Sequence, residues 1–137
     1  MEFGALGKAL PLICYEAIFP EELHGPERAD WMLQVTNDAW FGTLTGPYQH
    51  FALTRLRAIE AGMPLLRAAN TGISAFIDAR GRIADGMSLP LGAQGVIEGQ
   101  IPGAFSKTPY GKMGDWPLLL AHILLLIIAL KGRRLVA

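Results

Sequence analysis

The sequence predicts a layered α/β domain with one core, followed by a single apolar helix. Three observations carry that expectation. In the first half, short apolar runs that end in polar residues alternate with helix start and stop signals. After Pro64 the apolar period changes to two, with turn residues between the runs. From residue 116 to 130 the sequence WPLLLAHILLLIIAL has His122 as its only strongly polar side chain. The composition agrees: 51% hydrophobic and 18% charged residues over 137 positions suit a folded chain and not a disordered one. Twelve basic side chains balance twelve acidic ones, so no basic field exists to hold a nucleic-acid backbone, and nucleic acid is not an expected partner. The one cysteine, Cys14, cannot form an intramolecular disulfide. His24, His50 and His122 are too scattered to suggest a metal centre, and neither a metal nor another cofactor is expected.

Residues 8–14 form an apolar run that suits a buried strand, although Pro11 within it removes one ladder hydrogen bond. Pro20, Glu21 and Glu22 read as the first turn of a brief helix: proline stands where no amide donor is needed, and the carboxylates lie near the positive end of the dipole. That helix is expected to end by Gly25. Residues 31–36, WMLQVT, predict a second buried strand running into the turn-rich, aromatic segment 37–42. Residues 47–61 predict a helix with Phe51, Leu56 and Ile59 inward, Arg55 and Arg57 less so, and Gly62 as its stop before Pro64. Four short strands are then expected at 65–69, 73–78, 82–85 and 96–101.

Residues 102–115, rich in glycine and proline, read as a connector. The apolar segment 116–130 has no polar face, and a helix of that kind at a chain end has little sequence left to cover it. It is expected to span a membrane with Trp116 at one interface and Lys131, Arg133 and Arg134 snorkelling at the other, although fifteen residues rise only about 22 Å. The expected organisation is a globular α/β domain over 1–101, the connector over 102–115, the span over 116–130 and a basic cytoplasmic tail over 131–137. Residues 1–12 carry no signal-peptide pattern.

Cys14 lies where an apolar strand gives way to polar residues, a usual place for a reactive side chain in an α/β fold. Buried cysteines that merely pack are common, so the residues alone leave packing and nucleophile as equal readings. Three polar segments could converge on the same sheet end: Asn37–Asp38, Tyr48–Gln49–His50 and Asn70–Thr71–Gly72.

The segments ICYE (13–16), TNDAWFG (36–42), GPYQH (46–50), RAIEAGMPLLRAANTGISAFID (57–78) and TPYGKMGD (108–115) resemble the apolipoprotein N-acyltransferase family, a membrane-bound branch of the nitrilase or carbon–nitrogen hydrolase superfamily. The resemblance runs from about Leu10 to the basic cluster. It implies the C-terminal part of a nitrilase-like αββα sandwich, with 1–101 as a partial catalytic domain, followed by one transmembrane helix. It also implies a Glu-Lys-Cys triad in which glutamate is the base, lysine stabilises charge and Cys14 forms a thioester. The implied reaction moves an acyl chain from a phospholipid donor to the N-terminal amino group of diacylglyceryl-cysteine in an apolipoprotein acceptor. The implied location is the bacterial inner membrane, with the catalytic part periplasmic and the C-terminus cytoplasmic.

Tyr15 and Glu16 match family positions tied to activity, and a carboxylate beside the nucleophile could orient the lysine or the amine; capping the next turn is the plainer reading of Glu16. Trp40 and Phe41 either line the acyl pocket or fill the core. Asn37 and Asn70 are expected to shape turns, and His50 to be a satisfied structural histidine. Glu2 and Lys8 stand too close to Cys14 in sequence to be the triad members, so neither role is assigned, and the chain on its own is expected to be inactive. Two other readings remain: a soluble carbon–nitrogen hydrolase acting on a small amide or nitrile, and a non-catalytic membrane-tethered interaction module.

Overall fold

In a computed structural model that describes residues 1–23 and 28–136, the chain forms a five-stranded mixed sheet with helices on one face. The strands are β1 (Ala9–Ile13), β2 (Trp31–Asn37), β3 (Leu65–Asn70), β4 (Ser74–Ile77) and β5 (Ser88–Leu89), in that spatial order. β1, β2 and β3 run parallel, and β4 and β5 continue the sheet antiparallel. Pro11 is tolerated because β1 pairs with one neighbour in this sheet order. The expected α/β class and the first strands are therefore present. The stop expected at Gly25, together with His24, lies outside the described residues; Pro20–Leu23 before it is a 3-10 turn.

The crossover from β2 to β3 is α1 (Gly46–Ala61), with Pro47 in its first turn and Gly62 ending it in the left-handed conformation at φ 63°. α1 covers the sheet face that carries Leu12, Met32, Leu65, Ala75 and Ile77, and Phe51, Ala58 and Ala61 complete that core. The inward face differs from the expected one. Leu56 and Ile59 are 45% and 44% exposed, whereas Arg57 is buried at 5% alongside His50 and Thr54. The helix turns a partly polar stripe to the sheet because polar side chains of the sheet, described below, need partners there.

Two expected strands are absent. Residues 82–85 lie outside the sheet, after a turn over 78–82 in which the Asp78 carboxylate accepts from the Arg80 and Arg82 amides (2.8 Å each) and from Arg82 Nε (2.8 Å). Residues 96–101 are irregular and Val96 is 83% exposed; the sheet gains the two-residue β5 instead. Alternating apolar residues predict a strand only where a free sheet edge can receive them.

The connector contains a short helix, α2 (Pro109–Met113), capped by Thr108, whose Oγ1 accepts from the Gly111 amide (2.9 Å) and donates to the Glu60 carbonyl. α3 (Trp116–Val136) extends past the expected end at Leu130, and its large apolar side chains from Leu118 to Leu130 are exposed. Among the described residues no helix is long and apolar enough to cross a membrane.

Among the described residues the second sheet face is only partly covered. Pairing places Pro11, Leu33, Leu66 and Phe76 in one row and Ile13, Val35 and Ala68 in the next, all half-buried or exposed.

Candidate active site

Parallel strands deliver their loops to one sheet end, and the β1–β2–β3 register sets Ile13, Val35 and Ala68 level, with Asn37 opposite Asn70 beyond them. Cys14 follows Ile13 immediately. It has φ 53°, an unusual conformation for a residue with a side chain, and opens a 3-10 turn over Cys14–Ile18. Holding it there costs about 1–3 kcal/mol, so the surroundings must over-determine the turn. Glu16 does part of this: its carboxylate accepts from the Ile13 amide at 2.6 Å, tying the turn back to the strand. Cys14 itself is half-buried.

Beneath the turn lies a buried polar group. Arg67 from β3 and Gln34 from β2 are cross-strand partners on the face under α1. Arg67 Nη2 donates to Asp38 Oδ2 (2.5 Å), its Nη1 donates to Gln34 Oε1 (2.5 Å) and to Thr54 Oγ1 (2.8 Å), and its Nε donates to the Ile73 carbonyl (3.1 Å). Asp38 Oδ1 lies 2.9 Å from His50 Nδ1, which assigns the ring proton to that nitrogen. Gln34 Nε2 reaches the Cys14 carbonyl at 3.0 Å and His50 Nε2 at 3.3 Å. All five side chains are at least 95% buried. Burial, then the Arg67 cation, hold the His50 imidazole below its ordinary value against the pull of Asp38, so it is neutral near pH 7. A Cβ on Gly72 would run into the Asp38 carboxylate, which is why the 70–73 loop needs glycine at its closest approach.

The three polar segments do meet. Asn70 Nδ2 donates to Asn37 Oδ1 (3.0 Å), and the same oxygen accepts from the Ala39 amide (3.2 Å), so both asparagines shape turns. Tyr15 stands 5.7 Å from the His50 ring and 6.0 Å from Phe41, and Phe41 stands 5.3 Å from His50. Tyr15, which follows Cys14 in the chain, Phe41 and His50 therefore form one aromatic cluster. Trp40 is 85% exposed and does not fill the core. Glu2 and Lys8 pair with each other at 3.8 Å before β1; Lys8 is six residues, about 20 Å of strand, from Cys14. A cavity of about 420 Å³ lies elsewhere, where Pro20 and Glu21 face Tyr110, Lys112 and Trp116.

Gln34, Thr54 and Arg67 are site residues that the sequence motifs do not announce. The available signal was a glutamine and an arginine within otherwise apolar strands, since a polar side chain on a buried strand must find partners.

Residues 2–110 match the carbon-nitrogen hydrolase family. The chain is 51% identical over 126 residues to an apolipoprotein N-acyltransferase of Bradyrhizobium diazoefficiens and 50% identical over 125 residues to one of Rhodopseudomonas palustris. A third, from Caulobacter vibrioides, is 50% identical over 123 residues. These alignments cover 91%, 89% and 90% of this chain but 23% of each relative, so the chain spans about a quarter of the length of the curated relatives it matches. With four-fifths of its residues inside the family match, and with these N-acyltransferases among its similar relatives, the chain belongs to the carbon–nitrogen hydrolase family.

Proposed function

We propose that the chain supplies the nucleophile of an N-acyltransferase that moves an acyl chain from a phospholipid to the N-terminal amino group of diacylglyceryl-cysteine in apolipoproteins. The observation that carries this reading is the position of the chain's only thiol, at φ 53° on the end of β1, in a sequence half identical to N-acyltransferases.

In the first half-reaction the Cys14 thiolate attacks the ester carbonyl, a C–S bond forms, the ester C–O bond breaks, and the lyso-lipid leaves with a proton. A lysine implied by the resemblance and a backbone N–H beside Cys14 hold the oxyanion. In the second, the acceptor amine attacks the thioester, an amide C–N bond forms, the C–S bond breaks and the amine loses a proton. Glutamate is the general base in both directions; neither it nor the lysine is assigned to a residue of this chain. In this reading Tyr15, Phe41 and the exposed Trp40 meet acyl chain or acceptor, and Glu16, whose carboxylate accepts from the Ile13 amide, ties down the turn that carries the thiol.

Two further features support an assembly at the bacterial inner membrane. The partly covered apolar sheet face suits packing against a second sheet, completing an αββα sandwich. Although no described helix is by itself long and apolar enough to cross a membrane, we read the apolar stretch of α3 as a short span completed by neighbouring helices, with Lys131, Arg133 and Arg134 on the cytoplasmic side and Cys14 on the periplasmic side.

The test is a chimera in which this chain replaces the matching 126-residue segment of the Bradyrhizobium relative. With acyl-labelled phospholipid, a hydroxylamine-labile label on the Cys14 peptide is expected, absent from Cys14→Ser and discharged onto a diacylglyceryl-cysteinyl peptide. A folded chimera that takes no label, or that discharges it only to water as a hydrolase would, overturns the reading. The 137-residue chain alone is expected to show no turnover, since base and oxyanion partner are each worth at least about a hundredfold.

A further inference from the structure

Gln34 is completely buried and uses its whole hydrogen-bonding capacity. Its two donors go to the Cys14 carbonyl (3.0 Å) and His50 Nε2 (3.3 Å), and its oxygen accepts from Arg67 Nη1 (2.5 Å) and Thr54 Oγ1 (2.9 Å). The amide cannot flip without setting its carbonyl against the Cys14 carbonyl and its NH2 against the Arg67 guanidinium. Its orientation is thus fixed by a cation on one side and by the strained turn on the other. The Cys14 carbonyl in turn belongs to the residue at φ 53°, and rotating that residue back to an extended conformation would carry the carbonyl away from the amide.

We infer that Gln34 is a positioning residue for the Cys14 nucleophile. Its carboxamide, locked by Arg67 and Thr54 and backed by the Asp38–His50 pair, clamps the Cys14 carbonyl and keeps the thiol-bearing residue in its left-handed conformation. The inference rests on Cys14 being the nucleophile, and Gln34 touches neither substrate nor reacting atoms. It acts through backbone direction, which sets where the thiolate stands relative to an incoming ester; misplacement on the 1 Å scale costs on the order of a hundredfold in rate.

The experiment has two readouts. Because Cys14 is the only cysteine, carbonyl-13C-cysteine labelling of the 137-residue chain in detergent micelles gives one line that reports this carbonyl. Gln34→Met, a neutral residue of similar length, is expected to move that line upfield through loss of the hydrogen bond. In the chimera, Gln34→Met is expected to slow acylation of Cys14 at least tenfold at saturating phospholipid, with the half-saturating concentration unchanged. Gln34→Glu keeps an acceptor for Arg67 and Thr54 and so protects the fold, but has no donor for the Cys14 carbonyl when ionised; it is expected to slow acylation likewise. An unmoved carbonyl line, or acylation by folded Gln34→Glu within twofold of the parent, overturns the inference. A label that survives Cys14→Ser while the carbonyl line still moves in Gln34→Met overturns the nucleophile reading and leaves the clamp standing.

Discussion

Cys14 is legible in the sequence because chemistry and position coincide: an apolar strand ends, polar residues begin, and the only thiol stands between them. Its backbone strain is not legible, since nothing in ICYE requires φ 53°. That strain gives a measurable outcome. Cys14→Gly removes the Cβ that makes this conformation costly and Cys14→Ala keeps it, so the glycine variant should be the more stable by about 1 kcal/mol in urea denaturation, the reverse of the usual order. The residues below Cys14 behave differently. Asp38 and Arg67 form a fully buried ion pair at 2.5 Å, and Asp38→Ala strands the guanidinium without its counter-charge. A loss of about 3–5 kcal/mol is expected by the same measurement. A conservative pair change that removes both charges should cost less, because the desolvation penalty disappears with the attraction.

At the scale of elements, α1 and the first three strands follow from local signals: proline in the first turn, glycine at the stop, and β-branched or apolar runs bounded by turns. What failed was the assignment of the helix face. Counting hydrophobic residues turned Leu56 and Ile59 inward, whereas the sheet presents Gln34 and Arg67 to this helix and so selects the stripe with His50 and Thr54. A tertiary requirement overrode the pattern. The strands expected at 82–85 and 96–101 failed for a related reason, as local alternation carries no information on whether a sheet edge is available. The C-terminal end of α1 is held from outside by two distant segments. Arg28 Nη2 donates to the Ala61 and Gly62 carbonyls (3.2 Å each), and Thr108 Oγ1 donates to the Glu60 carbonyl while capping α2. Thr108→Val, similar in shape but without the hydroxyl, should cost about 1 kcal/mol and speed hydrogen exchange at Gly111. Unchanged exchange there would show that the connector is held by packing alone.

Over the whole molecule, the neutral buried His50 and the apolar α3 set how the chain responds to its surroundings. Burial holds the folded-state value of His50 below 6.5, so in the window beneath 6.5 the unfolded chain binds more protons than the folded one. Its contribution to stability is complete above that window and is lost as pH falls through the folded value; the urea midpoint should decline below pH 6.5, less steeply in His50→Gln. The membrane expectation is argued from asymmetry. Three cations, Lys131, Arg133 and Arg134, follow the apolar stretch of α3 within four residues, whereas Lys107 and Lys112 before it are offset by Asp115. Positively charged flanks are retained on the cytoplasmic side, so the C-terminal end is expected there and the Cys14 domain across the membrane, where lipoprotein precursors emerge. The apolar run rises only about 22 Å against a hydrocarbon core of about 30 Å. The proposed span would therefore need Trp116, snorkelling of the basic residues and neighbouring helices to take up the difference. An alkaline phosphatase fused after Ala137 in the chimera should be inactive and a fluorescent protein at the same place bright. Active phosphatase at that position would reverse the orientation, and with it the placement of Cys14 on the periplasmic side.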